Sequence, residues 1–264
     1  MSITALIPSR NEKYLLPTIQ SLLDNAQETI EVIAVLDGYW PDEELIEDPR
    51  VKYIHKGEAQ GMRPALNTAA AAASGEYLLK SDAHCIFAPG YDKALLANME
   101  DNWVVVPRRY RLDVEKWEVI KDGRPPIDYM YLTPDLHGKE WKRPDLADRM
   151  IDDLMSSQGS CWFMRKDYYN ELELLDVEQY GSFFNEFQEI GLKCWLSGGQ
   201  VKVNKNTWYA HWHKTEGRGY AMGPSLKVQG AAGTQKWLDG TGWHKQIYPI
   251  GWLVERFGQV PGWE

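Results

Sequence analysis

The chain has 264 residues, 44% hydrophobic and 25% charged, enough for one large packed domain or two small ones. Its 12 Trp, 14 Tyr and 6 Phe exclude a disordered chain, and no apolar run approaches the roughly 18 residues that span a bilayer. The net charge of −9 argues against a general polyanion binder, but it is uneven: residues 201–264 hold eight Lys/Arg against four acids, a net +4, leaving −13 on the first 200.

Met1-Ser2-Ile3-Thr4 enters a strand-like run without the charged start of a signal peptide. Ile3–Ile7 reads as a strand stopped by Pro8, and Tyr14–Asn25 as a helix with Leu15, Leu16, Ile19, Leu22 and Leu23 on one stripe. Glu31–Leu36 is a buried strand ending at the turn pair Asp37-Gly38, and Val51–Ile54 a third. Pro64–Ala73 is Ala-rich and helical, with Ser74-Gly75 as its C-cap, and Tyr77–Lys80 is a fourth strand running into Ser81-Asp82-Ala83-His84. This order predicts a parallel sheet with crossover helices, whose ligands sit beyond the carboxyl ends of the strands. Ser9–Glu12, Asp37-Gly38 and Asp82–His84 all fall there.

Trp103–Val106 reads as a strand ending in the basic aromatic stretch Arg108-Arg109-Tyr110-Arg111, and residues 112–150 as a hairpin and loops. Gly159–Met164 is a strand, Lys166–Leu172 and Asn185–Leu196 are helices, and Gln200–Val203 is a strand. Beyond Thr207–Lys214 the chain is rich in Gly and Trp, with weak periodicity. Cys85, Cys161 and Cys194 form neither a paired framework nor a zinc motif, so reduced thiols and a cytoplasmic location are expected.

Asp82 and His84, two apart at a strand end, suit Mn²⁺ or Mg²⁺ in contact with phosphate, although most such tripeptides are solvated loops. His211-Trp212-His213 offers a third ligand, or else an aromatic rim. The two rings are expected to point opposite ways, so that only one joins the pair. Glu186 and Glu189 share a helical face and can act as acid/base or acceptor-binding groups, against the commoner solvated face. Gly57 and Gly61 make no P-loop, and no nucleophile elbow is present.

Taken together, Ile7–Glu12, Val35–Gly38, Gly61–Asn67, Ala73–Glu76 and Asp82-Ala83-His84-Cys85 resemble the nucleotide-sugar-binding half of a GT-A glycosyltransferase of the family 2 type. The Asp-x-His form is similar to the polypeptide N-acetylgalactosaminyltransferases. Gly159–Lys166, Asn185–Gly199 and Ala210–Lys214 resemble their later strand, glutamate-bearing helix and third-ligand element. The resemblance implies an α/β GT-A domain over residues 1–215, with a donor-closing loop and C-terminal extension (216–264) packed on it. It implies a metal-dependent glycosyltransferase with Mn²⁺ or Mg²⁺ on Asp82, His84 and His211, and a nucleoside diphosphate sugar, expected to be a UDP-sugar, as donor.

By the same resemblance Pro8, Ser9, Arg10, Glu12 and Asp37 would line the base and ribose pocket, with Arg63 closing over it. Lys214 and Arg218 would neutralise the diphosphate, with Gly217, Gly219 and Gly223 as hinges of the closing loop. Gly159 and Ser160 would face the sugar, and Glu186 would hold the sugar or acceptor. Phe187 stands where inverting family 2 enzymes carry a basic Asp, so either Glu186 is the base or configuration is retained; retention is the expectation. The lectin domain, membrane anchor and disulfide cysteines of the polypeptide transferases are absent from the sequence. The expected acceptor is a saccharide or lipid-linked glycan, or a hydroxymethylated pyrimidine in DNA. The second follows from Gly217–Tyr220, similar to bacteriophage-encoded transferases, which would place the enzyme in a host cytoplasm; Arg108–Arg111 and Trp141-Lys142-Arg143 would then meet DNA. A pyrophosphorylase-like enzyme lacks its glycine-rich phosphate loop here, and a non-catalytic nucleotide binder would be expected to have lost a metal ligand.

Overall fold

The computed structural model describes residues 2–214 and 223–263. In chain order the first half is β1 (Ser2–Ser9), α1 (Leu15–Asn25), β2 (Thr29–Asp37), β3 (Val51–Lys56), α2 (Met62–Ala72), β4 (Tyr77–Ser81), β5 (Cys85–Phe87) and α3 (Tyr91–Leu96). The second is β6 (Trp103–Asp113), β7 (Glu118–Val119), β8 (Met130–Leu132), β9 (Gly138–Glu140), β10 (Ile151–Asp153), β11 (Cys161–Arg165), α4 (Lys166–Glu171), α5 (Val177–Tyr180), α6 (Glu186–Leu196), β12 (Gln200–His211), α7 (Pro224–Leu238) and α8 (Ile250–Phe257).

The main sheet runs β10-β12-β6-β11-β4-β1-β2-β3, with β5 on β12 and β7 on β6; β8 and β9 form a separate hairpin. The β4-β1-β2-β3 half is parallel, as the βαβ spacing predicts. In the other half β11 is antiparallel to both its neighbours while β6 and β12 are parallel, so the sheet is mixed. Side chains alternate across the pleat. Ile3, Ala5 and Ile7 pack with Ile19 and Leu22 of α1 on one face, and Leu6, Ile33 and Val35 with Ala65, Leu66 and Ala69 of α2 on the other. Both faces are thus covered, which is why β2 reads as a near-continuous apolar run.

Four expectations are corrected. β1 does not stop at Pro8 but continues through it to Ser9. Its pairing with β4 ends at Leu6, so beyond that point the β4 side of β1 is open and a missing N–H there breaks no ladder. Gly75 is not a helix cap: a Cβ there would lie 2.6 Å from the Thr4 amide, so glycine permits close approach to β1. β6 does not end at Val106 but runs on through the Arg108–Arg111 stretch to Asp113, with Arg108–Arg111 paired to Trp208–His211 of β12. The weakly periodic C-terminal region contains α7 and α8, whose Trp237 and Leu253 join the larger core cluster.

Candidate active site

At the carboxyl edge of the sheet a cavity of about 500 Å³ opens, a size that suits a substantial small molecule. Pro8, Ser9, Arg10, Glu12 and Asp37 line one end; Asp82, His84, Gly159, Ser160, Glu186, His211 and Lys214 line its middle. Met130, Phe183, Phe184 and Leu226 add an apolar wall.

The loop after β4 is fixed by backbone bonds. The Asp82 amide donates to Ser160 O (2.9 Å), and the Trp212 amide to His84 O (3.2 Å). β5 pairs antiparallel with β12 so that Cys85 faces His211. Two segments 129 residues apart therefore deliver three ligand atoms to one point. His84 Nε2 and Asp82 Oδ2 each lie 3.1 Å from His211 Nε2, and 3.8 Å from one another. Ligands at neighbouring positions around an octahedral ion stand roughly 3 Å apart when each is about 2.1 Å from it. Two imidazole nitrogens face to face can share one proton at most, whereas a cation uses both lone pairs. The donor set of two imidazoles and a carboxylate fits Mn²⁺ or Mg²⁺.

Surrounding groups set the protonation states. Glu12 Oε2 lies 3.3 Å from His84 Nδ1, which favours the tautomer whose Nε2 lone pair faces the site. Burial, with Arg109 and His84 adding to it against the pull of Asp82, lowers the His211 pKa to about 4, so the ring is neutral at physiological pH. Burial alone would raise the Asp82 carboxyl, but the Lys80 ammonium and then the His211 hydrogen bond outweigh it and hold the group well below the usual range.

Lys80, wholly buried, was not singled out by sequence, although a lone charge in Tyr77-Leu78-Leu79-Lys80-Ser81 is a readable signal. It donates to Asp82 Oδ1 (2.5 Å) and Gly159 O and lies 3.5 Å from Glu186 Oε2. Glu186 accepts a bond from the Trp162 indole N–H (2.8 Å). Burial, beyond what Lys80 offsets, raises its pKa. A Cβ on Gly159 would collide with the Glu186 carboxyl, so any larger residue there would have to displace it.

Other expected site residues are placed differently. Arg63 does not close over the pocket. It is fully buried, ion-paired with Glu189, donating to Phe184 O (2.6 Å) and lying on the Tyr180 ring, so it braces the segment that leads into Glu186. Glu189 shares no solvated face with Glu186: its second oxygen accepts from Lys193 (2.8 Å) and the Asp176 amide (3.0 Å). Asp37 reaches the cavity, but its two oxygens accept from the Gln60 and Gly61 amides. Ser9 meets Tyr39, and Ser160 Oγ meets Tyr209 (2.8 Å). Glu12 reaches His84 and Lys214 Nζ (2.5 Å), so the Lys214 charge is already paired. The His211 and His213 rings do not diverge: they stand 5.4 Å apart, with His213 just beyond the end of β12. Arg218, with Gly217 and Gly219, lies outside the described residues; Gly223 is the N-cap of α7.

Residues 4–173 match the Glycosyl transferase family 2 profile. The chain belongs to that family. A putative polypeptide N-acetylgalactosaminyltransferase 13 of Drosophila melanogaster is 26% identical over 234 residues, covering 76% of this family 2 chain and 40% of the relative. Glycosyltransferase GlyG of Streptococcus pneumoniae serotype 4 is 27% identical over 200 residues, covering 67% and 61%. The chain thus spans about half the length of the curated relatives it matches. Among solved structures, GalNAc-T7 with UDP, GalNAc and Mn²⁺ superposes with a TM-score of 0.76 at 20% identity, over 91% of this chain and 49% of that one. Staphylococcus aureus TarS in complex with UDP-GlcNAc gives 0.54 at 15% identity, over 87% and 64%. The architecture of this family 2 member is accordingly the GT-A fold expected from sequence. Among the described residues no helix is long and apolar enough to cross a membrane.

Proposed function

We propose that the protein transfers a sugar from a UDP-sugar to an acceptor hydroxyl, with a divalent ion held by Asp82, His84 and His211. The observation that carries this is the convergence of those ligand atoms beside Glu186, in a cavity whose far end is built from the carboxyl ends of β1 and β2. Relatives and solved neighbours named for sugar transfer or bound to UDP and UDP-GlcNAc support the donor class. When bound, the ion neutralises charge developing on the leaving diphosphate.

The chain's own residues supply the rest. Pro8, Ser9, Arg10 and Asp37 wall the base and ribose; Glu12 orients His84 and holds Lys214 at the phosphates. Gly159 and Ser160 leave room for the sugar, and Glu186 accepts its hydroxyls. Among the described residues the cavity's carboxylates are Glu12, Asp37, Asp82 and Glu186, and each is engaged by donors within the chain. Phe187 is buried in the core. A site without a free carboxylate base supports transfer with retention of configuration.

A saccharide acceptor is favoured over DNA. Arg108 forms a two-pronged pair with Asp128, Arg111 lies on Pro125 O and near Glu140, and Arg143 is paired with Asp145, so the basic stretch offers little unneutralised surface to phosphates. The test incubates the protein and Mn²⁺ with a panel of nucleotide sugars, with and without saccharide acceptors or hydroxymethylated DNA. Sugar released or transferred from a UDP-sugar supports the reading, and NMR of the product's anomeric proton reads the stereochemistry. No metal-dependent turnover across the panel refutes it.

A further inference from the structure

Three arginines project from the far half of β6, and two of them meet acids: Arg108 binds Asp128 at 2.7 Å and Arg111 approaches Glu140 at 3.8 Å. Arg109 meets none. Among the described residues no carboxylate lies within ion-pair distance of its guanidinium, Nη1 has no hydrogen-bond partner, Nη2 lies 3.9 Å from the Met130 sulfur, and the guanidinium otherwise interacts with the uncharged Tyr209 hydroxyl. Yet the residue is 5% exposed, and burial depresses its pKa. An unpaired buried cation costs several kcal/mol, by rough general measure, and such a cost is carried where a ligand offsets it.

Strand register gives the direction. Tyr209 pairs with Arg109 and His211 with Arg111, so Arg109 shares a sheet face with the metal-site imidazole two residues along β12. Met130 stands between the guanidinium and the cavity it lines. An unbranched thioether side chain shifts rotamer at little cost, making a removable cover. In strand order β6 lies on the opposite side of β4 from β1 and β2, so Arg109 lies on the side of the sheet away from the strands that wall the base in the proposed function. His213, exposed, and Gln158 also line the cavity, with their side chains 3.4 Å apart.

We propose that Arg109, with His213 and Gln158, forms an oxyanion subsite on the acceptor side of the cavity, and that the acceptor is an acidic saccharide carrying a phosphate or carboxylate. This rests on the transferase reading and names its substrate class. A guanidinium recognises either oxyanion through paired N–H donors.

The test titrates inorganic phosphate, glucuronate and neutral glucose into protein saturated with UDP and Mn²⁺, which fills the donor's own phosphate site. Phosphate or glucuronate should bind, with Kd raised about tenfold or more in Arg109→Met and glucose binding unchanged; whichever anion binds identifies the source. Arg109→Met should be at least as thermostable as the parent, because an apolar chain of similar length replaces an uncompensated charge. The proposal is overturned if neither anion binds the loaded protein, if anion binding is displaced by UDP, or if the variant binds as the parent does. A variant markedly less stable than the parent would overturn it too, by showing a structural role. Protein that takes up no UDP with Mn²⁺ refutes the transferase reading itself, a result distinct from all of these.

Discussion

Glu189→Gln separates the two roles that a glutamate on α6 can have. The carboxylate is wholly buried, with Arg63 on one oxygen and Lys193 and the Asp176 amide on the other. The amide keeps the shape but removes the negative charge paired with two buried cations, and its NH₂ must point at a donor. Breaking a buried pair from one side costs about 3–5 kcal/mol. Arg63 keeps Phe184 O and Lys193 keeps Glu173 O, which argues for the lower end, about 3 kcal/mol. In a chain of this size each kcal/mol moves Tm by about 2–4 °C, so a fall of about 6–12 °C is expected. Urea and thermal unfolding can be followed by the fluorescence of the buried Trp162, Trp195 and Trp237. In the cold, where the variant remains folded, UDP–Mn²⁺ affinity should stay within about twofold of the parent, because Glu189 does not line the cavity. A Tm change under about 2 °C, or loss of nucleotide binding in a stably folded variant, would refute the bracing role.

Asp82→Asn should fold normally yet lose Mn²⁺ uptake in an EPR titration of free Mn²⁺; uptake equal to the parent's would remove Asp82 from the ligand set. Gly159→Ala should push the Glu186 carboxyl aside and lower kcat/KM about tenfold or more while UDP still raises Tm; unchanged turnover would mean that Glu186 has room to give. Glu186→Gln should weaken donor-sugar binding and leave residual transfer with the donor's anomeric configuration kept, read by NMR, whereas near-complete loss of transfer with donor affinity preserved, and an inverted product from the parent, would make Glu186 the base. Glu31 has its pKa lowered to about 2: burial opposes the shift, but Lys52, the Ser74 amide and the Thr4 hydroxyl outweigh it. A depressed folded-state pKa stabilises above the unfolded value of 4.5 and is lost as pH falls toward 2. Glu31→Gln should therefore cost of the order of 2 kcal/mol at pH 7 and little at pH 2; an equal cost at both would show that charge is not involved.

The βαβ half was readable because β1 and β2 are apolar on both faces and α1 carries a clear stripe. The three candidate metal ligands were readable as types, but their meeting depends on β12 pairing with β5, which no local pattern encodes. α7 was missed for a specific reason. Its buried residues, Gly230, Gly233, Thr234 and Trp237, follow helix spacing, but two are glycines packed on Phe184 and Tyr180, so the periodicity lacks the apolar side chains that announce it. Arg63 was misplaced because its partner lies 126 residues away, and a motif position does not say whether a cation meets nucleotide or protein.

The break in β12 between Asn204 and Trp208 sets the phase of the strand. Val201 and Val203 belong to the core on one side, and Tyr209 and His211 must also present one side, to a different purpose. A regular pleat would make the ligand's orientation hostage to the core's, since every residue added or removed flips all that follow. The irregular turn at Asn204, whose amide bonds Ala94 O and whose carbonyl oxygen takes the Asn206 amide, uncouples the two. Length variation confined to positions 205–207 can be absorbed there without turning His211, whereas a single residue inserted between Tyr209 and His211 would aim the imidazole away from Asp82. The strand thus behaves as two segments in series, one free to drift with the hydrophobic interior and one held to the timing of the metal site.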